Sequence, residues 1–410
     1  MKKTAVAVAV AASAMGFAQF AAADFVKDSK LSLDLRNYYF NTGADAFGAA
    51  EETESGQWGQ AFMLNYKSGF TEGPVGFGVD LFGAAAYKLA DHGDAGTHLF
   101  QATGGEVDDR LSKGGATVKA RVAGTTAYAG TLRPNTPVFI SNDARMLPQL
   151  VEGVMVTNQD VAGLTLAAAH VSKFQERHSA EWADLGDEQF SLFGADYKVM
   201  DSLTAQYYYG QVNNSYTQHF AGLKYAADMG PGKLGADVRY FITGDDDPTP
   251  GPNEDDNNLW SVLVNYSVAG HTLGLGYQHT SEDFTFANVG KSKYLISERM
   301  LGAGAMHNPD EAVTLVSYGF DFGTVGVKGL SASVVHQMGD SGIGREVGKD
   351  TGVYQVVDHT ETDVIVGYTV PEGQLKGLGA RVMHAMYDGD DKFADENQTR
   401  VIVSYSIPLM

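Results

Sequence analysis

Large apolar residues alternate with small or polar ones, at a period of two, in many segments of this chain. In residues 75–81, VGFGVDL, every second residue is large and apolar, and glycine or aspartate stands between. Such alternation places successive side chains on opposite faces of a β-strand. From residue 31 the chain contains about eighteen segments of this kind, so an all-β fold is predicted.

The connections between these segments alternate in length. Long connections fall near residues 41–57, 90–114, 134–149, 174–187, 244–257, 282–309, 339–360 and 388–397. Short turns fall near residues 69–74, 124–125, 159–163, 200–202, 228–232, 269–271, 322–329 and 371–377. Outer-membrane barrels have short periplasmic turns and long extracellular loops. The rhythm therefore predicts a transmembrane antiparallel β-barrel of about 18 strands, whereas a β-helix would show a fixed repeat length.

The N-terminus has the pattern of a secretory signal peptide. Lys2 and Lys3 precede an apolar run, and three alanines precede Asp24. We therefore predict a signal peptide at residues 1–23 and one outer-membrane barrel at 24–410. Beyond residue 23 no apolar run approaches the ~20 residues of a membrane helix. Export and loop rhythm favour the barrel over a secreted β-helix or sandwich, and they predict the Gram-negative outer membrane, with its lipid and lipopolysaccharide as partners.

The charge balance limits the classes of partner. Without Lys2 and Lys3, 27 basic residues face 50 acidic ones, a formal charge of −23. This balance argues against a nucleic-acid partner. Cysteine is absent, so disulfides cannot contribute to stability.

The strand at residues 117–122 carries two cations on one face. Lys119 and Arg121 alternate with Val118, Ala120 and Val122. A cation at the lipid-facing midplane costs roughly 2–4 kcal/mol, so the cations are predicted to face the lumen and the apolar row the lipid.

Near the C-terminus, a cation again alternates with apolar residues. Arg400 is therefore predicted to face the lumen, and Val401, Val403 and Tyr405 are predicted to face the lipid. Clustered aromatics, at residues 38–40 and 207–209, are predicted to form girdles at the membrane interfaces.

Several segments share their sequence pattern with a known family. They are GATVKARV, AGTLRPNTPV and SNDARMLPQ in residues 115–149, LRNYYF, WGQAFMLNYKSGFTEGPVGFGVD and RVIVSYSIPL. In these segments the chain resembles the OprD-type porins, the outer-membrane carboxylate channels of Gram-negative bacteria. The resemblance is dense in the first 155 residues and returns at the C-terminus. The resemblance implies a third loop that folds inward and constricts the pore, and one wall lined by a ladder of basic residues that passes carboxylates from cation to cation.

The candidate pore residues on predicted strands are basic. They are Arg36, Lys119, Arg121, Arg133, Arg239, Arg381 and Arg400. Met383 shares the face of Arg381. A planar guanidinium can bind a carboxylate through two hydrogen bonds, which suits such a ladder. The alternative is that each cation pairs with a lumenal acid such as Asp34, Asp80 or Asp237.

The loop at residues 134–149 carries Asp143 and Arg145. An acid and a base facing each other at a constriction would sharpen the local field. We expect Arg145 to contact substrate and Asp143 to be structural. The alternative is an ion pair that anchors the loop to the wall.

Other polar clusters carry little chemistry. The acidic stretch at residues 245–256 could bind Ca²⁺ but lacks EF-hand spacing. No cofactor, metal site or catalytic constellation is predicted. The expected function is passive, substrate-preferring uptake of small organic acids by a monomer or loose homotrimer. The alternatives are a general diffusion porin with weak or cation selectivity and, in a different class, a barrel enzyme or adhesin.

Overall fold

A computed structural model describes residues 22–44, 53–93, 96–246, 257–281, 291–298, 300–301, 306–341, 357–389 and 395–410. All but two residues of the predicted signal peptide lie outside these ranges, so that assignment stays a prediction. The described chain begins with one short helix, α1 (Ala22–Lys27). None of the helices within the described ranges is long and apolar enough to cross a membrane.

Within these ranges, eighteen long strands form one sheet, which also takes in a two-residue strand from a loop. The long strands are β1 (Lys30–Ala44), β2 (Thr53–Lys67), β3 (Gly76–Gly93), β6 (Arg110–Val122), β7 (Thr125–Leu132), β10 (Leu150–Asn158), β11 (Leu164–Gln175), β13 (Phe190–Met200), β14 (Leu203–Val212), β15 (Tyr216–Met229), β16 (Gly232–Asp245), β17 (Asn257–Val268), β18 (His271–Thr280), β20 (Glu311–Asp321), β21 (Leu330–Ser341), β22 (Val357–Thr369), β23 (Gly379–Gly389) and β24 (Glu396–Pro408). Short strands in the connections are β4 (Ala102–Thr103), β5 (Glu106–Val107), β8 (Asn135–Thr136), β9 (Phe139–Ser141), β12 (Ala183–Asp184) and β19 (Lys291–Ser292). A 3-10 turn spans Phe322–Val325.

The long strands close into a barrel. Each is antiparallel to its neighbours, and β1 pairs with β2 on one side and with β24 on the other. The closing register runs from Ser32 opposite Pro408 to Ala44 opposite Glu396. Among the long strands of the described ranges, closure leaves no open sheet edge, as a β-structure in a bilayer requires. The predicted all-β barrel is confirmed.

The two rims differ as the sequence predicted, with one exception. One rim carries both ends of the barrel sheet and connections of at most nine residues, and every connection longer than nine residues lies on the other rim. The connection between β14 and β15, residues 213–215, is a three-residue hairpin on the long-loop rim, where no connection was predicted. Asn214 adopts a positive φ of 57° there, which asparagine tolerates better than most residues.

Side chains alternate between lipid and lumen along each strand. On β6, Val118 is 61% exposed while Lys119 is 8% exposed. The loops fold into part of the lumen and bury apolar side chains there. One cluster surrounds Phe139 and Phe190, and a second surrounds Phe40, where loop residues pack on β1, β2 and β3.

The predicted aromatic girdles need correction. Tyr38 and Phe40 are 2% and 1% exposed and lie inside the barrel. Tyr208 is also buried and donates a hydrogen bond to Asp196. Three consecutive aromatics cannot all face lipid because successive side chains of a strand point to opposite faces.

Candidate functional site

The third loop (residues 133–149) enters the barrel and packs against its wall. Val138 and Phe139 are 1% exposed, and Met146 and Leu147 are fully buried. Gly59 on β2 permits this approach, since a Cβ there would lie 2.5 Å from Met146 Cε and 2.7 Å from the Phe100 ring. The loop is therefore held inside the barrel, as predicted.

Arg36 on β1 is the main polar anchor of this loop. Its guanidinium donates to both carboxylate oxygens of Asp143, at 2.9 and 3.2 Å. It also donates to the backbone carbonyl of Arg145 at 2.6 Å. Two residues along the strand, the Tyr38 hydroxyl donates to the carbonyl of Ala144 at 3.1 Å. These contacts bind residues 143–145 to the lumenal face of β1.

Arg145 is positioned differently from Asp143. Its guanidinium lies 4.8 Å from the centre of the Phe40 ring, and its buried Nε has no hydrogen-bond partner among the described residues. Burial, followed by repulsion from Arg400 and Arg177, lowers the pKa of Arg145 to about 9, so it stays protonated at neutral pH. The acid–base pair at the constriction thus joins Asp143 to Arg36, and Arg145 is left facing the lumen.

Three of the predicted cations lie at successive levels of the wall next to this loop. Arg400 of β24 lies opposite Phe40, Arg381 of β23 lies opposite Ile402, and Arg36 lies opposite Ser404. These levels are two residues apart along β24, a rise of ~7 Å per step. These three arginines occupy successive levels of the wall formed by β1, β23 and β24, and we call them the arginine ladder.

This ladder and Arg145 line one cavity of about 850 Å³. Arg400 is held by Gln398 Oε1 at 2.5 Å and by the carbonyl of Met300 at 2.6 Å. Arg381 makes no hydrogen bond or ion pair within the described part of the chain, so its guanidinium remains available in the cavity.

Two other predicted cations lie at the short-turn end, outside this cavity. Lys119 donates to Asp80 at 2.6 Å and to the carbonyl of Ser68 at 2.8 Å, so it is an anchor of the turn. Arg121 stacks over Phe70, with its guanidinium carbon 4.4 Å from the ring centre. The cavity that holds the ladder includes neither.

Arg239 and Arg133 depart from the predicted ladder in different ways. Arg239 donates to Asp237 at 2.8 Å and to the carbonyl of Tyr294 at 3.1 Å, and it stacks on the Tyr294 ring at 4.1 Å. It anchors the loop that contains Tyr294. Arg133 follows the last residue of β7 and so lies in the loop, where it stacks 5.1 Å from Phe82 and lines a separate cavity of about 350 Å³.

Lys113 of β6 is a site residue that the prediction missed. It is 5% exposed, and its ammonium donates to the carbonyl of Pro148 at 3.0 Å and to the carbonyl of Glu176. It therefore ties two loops to the wall. Lys113 shares the lumenal face of Lys119, so period two could have identified it.

His98 and Arg177, both in loops, were also missed. The His98 ring stacks on Phe40 at 4.6 Å and contacts the Ser55 hydroxyl. Burial, followed by repulsion from Arg145, lowers the pKa of His98 to about 4. Burial also lowers the pKa of Arg177, and the charge of Arg400 acts in the same direction. Loop positions have no period, so no pattern places these side chains.

Metal ligands are not assembled in the described residues. There, no group of three or more histidine, aspartate or glutamate side chains could hold a metal ion. Most of the acidic stretch at 245–256 lies outside the described ranges.

Comparison with known proteins agrees with this architecture. Residues 23–409 match the family model described as outer membrane porin, OprD family. Porin D of Pseudomonas aeruginosa is 29% identical over 451 aligned residues, which cover 100% of this chain and 99% of Porin D. The porin-like protein GalP of Pseudomonas putida is 28% identical, over 96% of this chain and 95% of its own.

A solved structure of similar architecture is OccK8 (OprE) of P. aeruginosa, with a TM-score of 0.82 and 34% identity over 95% of this chain and 100% of its own. The structure of P. aeruginosa OpdK with vanillate has a TM-score of 0.84 and 29% identity, over 94% of this chain and all of that one. The predicted localisation in the outer membrane is confirmed. The chain belongs to the OprD family of outer membrane porins, as the resemblance predicted.

Proposed function

We propose that this porin takes up small carboxylate-containing solutes by passive diffusion past the third loop. The observation that carries the proposal is the convergence of Arg36, Arg145, Arg381 and Arg400 on one cavity. Guanidinium groups bind carboxylates through two parallel hydrogen bonds. Arg381 has no partner among the described residues, so it is available to a passing anion.

The ladder suits transport better than tight binding. A carboxylate that enters the narrow section loses some of its bound water. Contacts with guanidinium groups replace the hydrogen bonds to that water. Levels ~7 Å apart allow the next contact to form before the last one is lost. Conduction needs binding that is favourable yet weak and repeated enough for release. Asp143 does not oppose the anion strongly because Arg36 neutralises it locally.

The net charge of the chain does not set the charge preference of the pore. The formal charge is −21 over all 410 residues. Salt screens exposed charges beyond a Debye length of ~8 Å. Charges in a narrow cleft act at short range, where low-dielectric walls focus the field. The structure of OpdK with vanillate, an aromatic carboxylate, is consistent with organic acids as substrates of this family member too.

Tracer exchange in proteoliposomes tests this proposal. Gluconate and sorbitol have similar size and hydroxyl content but differ in charge. We expect gluconate to exchange faster than sorbitol through the wild-type protein. In the variant Arg381→Gln with Arg400→Gln, this ratio should fall. Faster exchange of sorbitol, or a ratio that the variant leaves unchanged, would favour a general diffusion porin.

A further inference from the structure

The cavity that holds the arginine ladder also carries a wall of hydroxyl side chains. Thr272, Ser331, Ser333, Thr369 and Ser404 all line it. We call these five residues the hydroxyl wall. They lie on β18, β21, β22 and β24, and the ladder lies on β1, β23 and β24. The two sets therefore meet on neighbouring strands.

Strand register places hydroxyls and arginines in shared rows. Ser404 lies directly opposite Arg36. In the same row, Thr369 lies opposite Gly379, which lies opposite Ser404. One level higher, Ser331 lies opposite Gly367, which in turn lies opposite Arg381. Each of these rows thus runs from an arginine to hydroxyls one to three strands away, at ~5 Å per strand.

The hydroxyls at these positions are open to the lumen. Ser331, Ser333, Thr369 and Ser404 have no hydrogen-bond partner in the described ranges of the chain. The glycines between them keep them uncovered. A Cβ at Gly367 would lie 3.6 Å from Ser331 Oγ, and one at Gly379 would lie 3.5 Å from Ser404 Oγ and 3.8 Å from Thr369 Oγ1.

From this arrangement we infer that the preferred substrates are polyhydroxylated carboxylates, such as sugar acids. The inference rests on the proposed carboxylate uptake and adds a second element of recognition. A guanidinium of the ladder holds the carboxylate. The groups of the hydroxyl wall both donate and accept hydrogen bonds. They form hydrogen bonds with the substrate hydroxyls in place of water. An alkyl chain in the same place would displace water from these hydroxyls and would provide no hydrogen bonds in its place.

Permeability ratios in planar bilayers test the inference. Gluconate and hexanoate are both six-carbon monocarboxylates, and they differ in hydroxyl content. Their permeabilities relative to chloride follow from bi-ionic reversal potentials, which count only the charged species. We expect the wild-type ratio of gluconate to hexanoate permeability to exceed the ratio of their mobilities in water. This measurement requires no variant.

Near-isosteric substitutions then locate the effect. The combined variant Ser331→Ala, Thr369→Val and Ser404→Ala should lower the gluconate-to-hexanoate ratio by roughly three- to tenfold, as expected from loss of one or two weak hydrogen bonds. Thr314→Val is the matched control, because Thr314 shares the outward face of exposed Val316 and Tyr318 on β20. It should leave the ratio unchanged.

The outcomes separate the inference from the proposed function. A wild-type ratio no greater than the mobility ratio, or an equal fall in the control, would overturn the role of the hydroxyl wall. So would an unchanged ratio in the combined variant. The proposed function would be contradicted by a different result, namely a wild-type pore that prefers potassium over chloride in a potassium chloride gradient.

Discussion

Arg36 on the first strand and Asp143 in the third loop form a two-point ion pair, 107 residues apart in the chain. The same guanidinium also holds the carbonyl of Arg145. Arg36 thus holds residues 143–145 against the wall, and Arg145 is left facing the lumen.

Removing the anchor should loosen the constriction. We expect Arg36→Ala to raise single-channel conductance and its fluctuation more than Asp143→Asn, because Asp143→Asn keeps the contact between Arg36 and the Arg145 carbonyl. Arg36→Lys should be intermediate, since an ammonium lacks the planar fork. Single-channel recordings of the three variants check the order. If all three variants show the conductance and fluctuation of the wild-type protein, other contacts hold the loop.

Shortening the loop should widen the pore. Deletion of residues 142–146 removes Asp143, Arg145 and the buried Met146. We expect higher conductance and a gluconate-to-sorbitol exchange ratio closer to one. Heat-modifiable mobility on a gel provides the control for correct barrel assembly. An assembled deletion with wild-type conductance would remove the loop from the narrowest section.

Reversing the charge of Arg145 should shift selectivity more than reversing that of Arg121. Arg145 lines the cavity of the ladder, whereas Arg121 lies over Phe70 outside it. We expect Arg145→Glu to move the reversal potential in potassium chloride toward cation preference, and Arg121→Glu to move it less. A larger effect of Arg121→Glu would relocate the selective section to the short-turn end.

Acidification should destabilise the region around His98. Its pKa in the folded protein is about 4, below the ordinary value of 6.5. The unfolded chain therefore binds this proton first as pH falls. The stabilising contribution is complete above pH ~6.5, declines as pH falls toward 4 and is lost below it. Thermal unfolding followed by circular dichroism at pH 7, 5.5 and 4 should show a steeper decline in wild type than in His98→Asn. Parallel declines would exclude His98 as the source.

The strand pattern was predictable because one face of each strand meets lipid. Val118 and Lys119 illustrate this, since a shift of one residue would exchange lipid and lumen for the whole strand. Tyr38 and Phe40 were misplaced when aromatic clustering was weighed above that period. The hairpin at 213–215 was missed because its three residues interrupt the strand alternation far less than a long polar loop does.

The contacts of the site were less predictable than the wall. The pairing of Arg36 with Asp143 depends on how a loop folds back onto a strand, and no local pattern encodes that. The partners of Arg239 include a carbonyl 55 residues later in the chain. The rows that join Arg381 to Ser331 require the register of three strands, which alternation alone does not fix.

The reversal potential of the purified porin in a potassium chloride gradient shows whether the lumenal arginines or the acidic balance of the chain set the charge preference of the pore. We predict a reversal potential whose sign shows that chloride permeates more readily than potassium. The double variant Arg381→Gln with Arg400→Gln should shift this potential toward zero. If the wild-type potential instead indicates potassium over chloride, and the variant leaves it unchanged, the lumenal arginines do not set the charge preference of the pore.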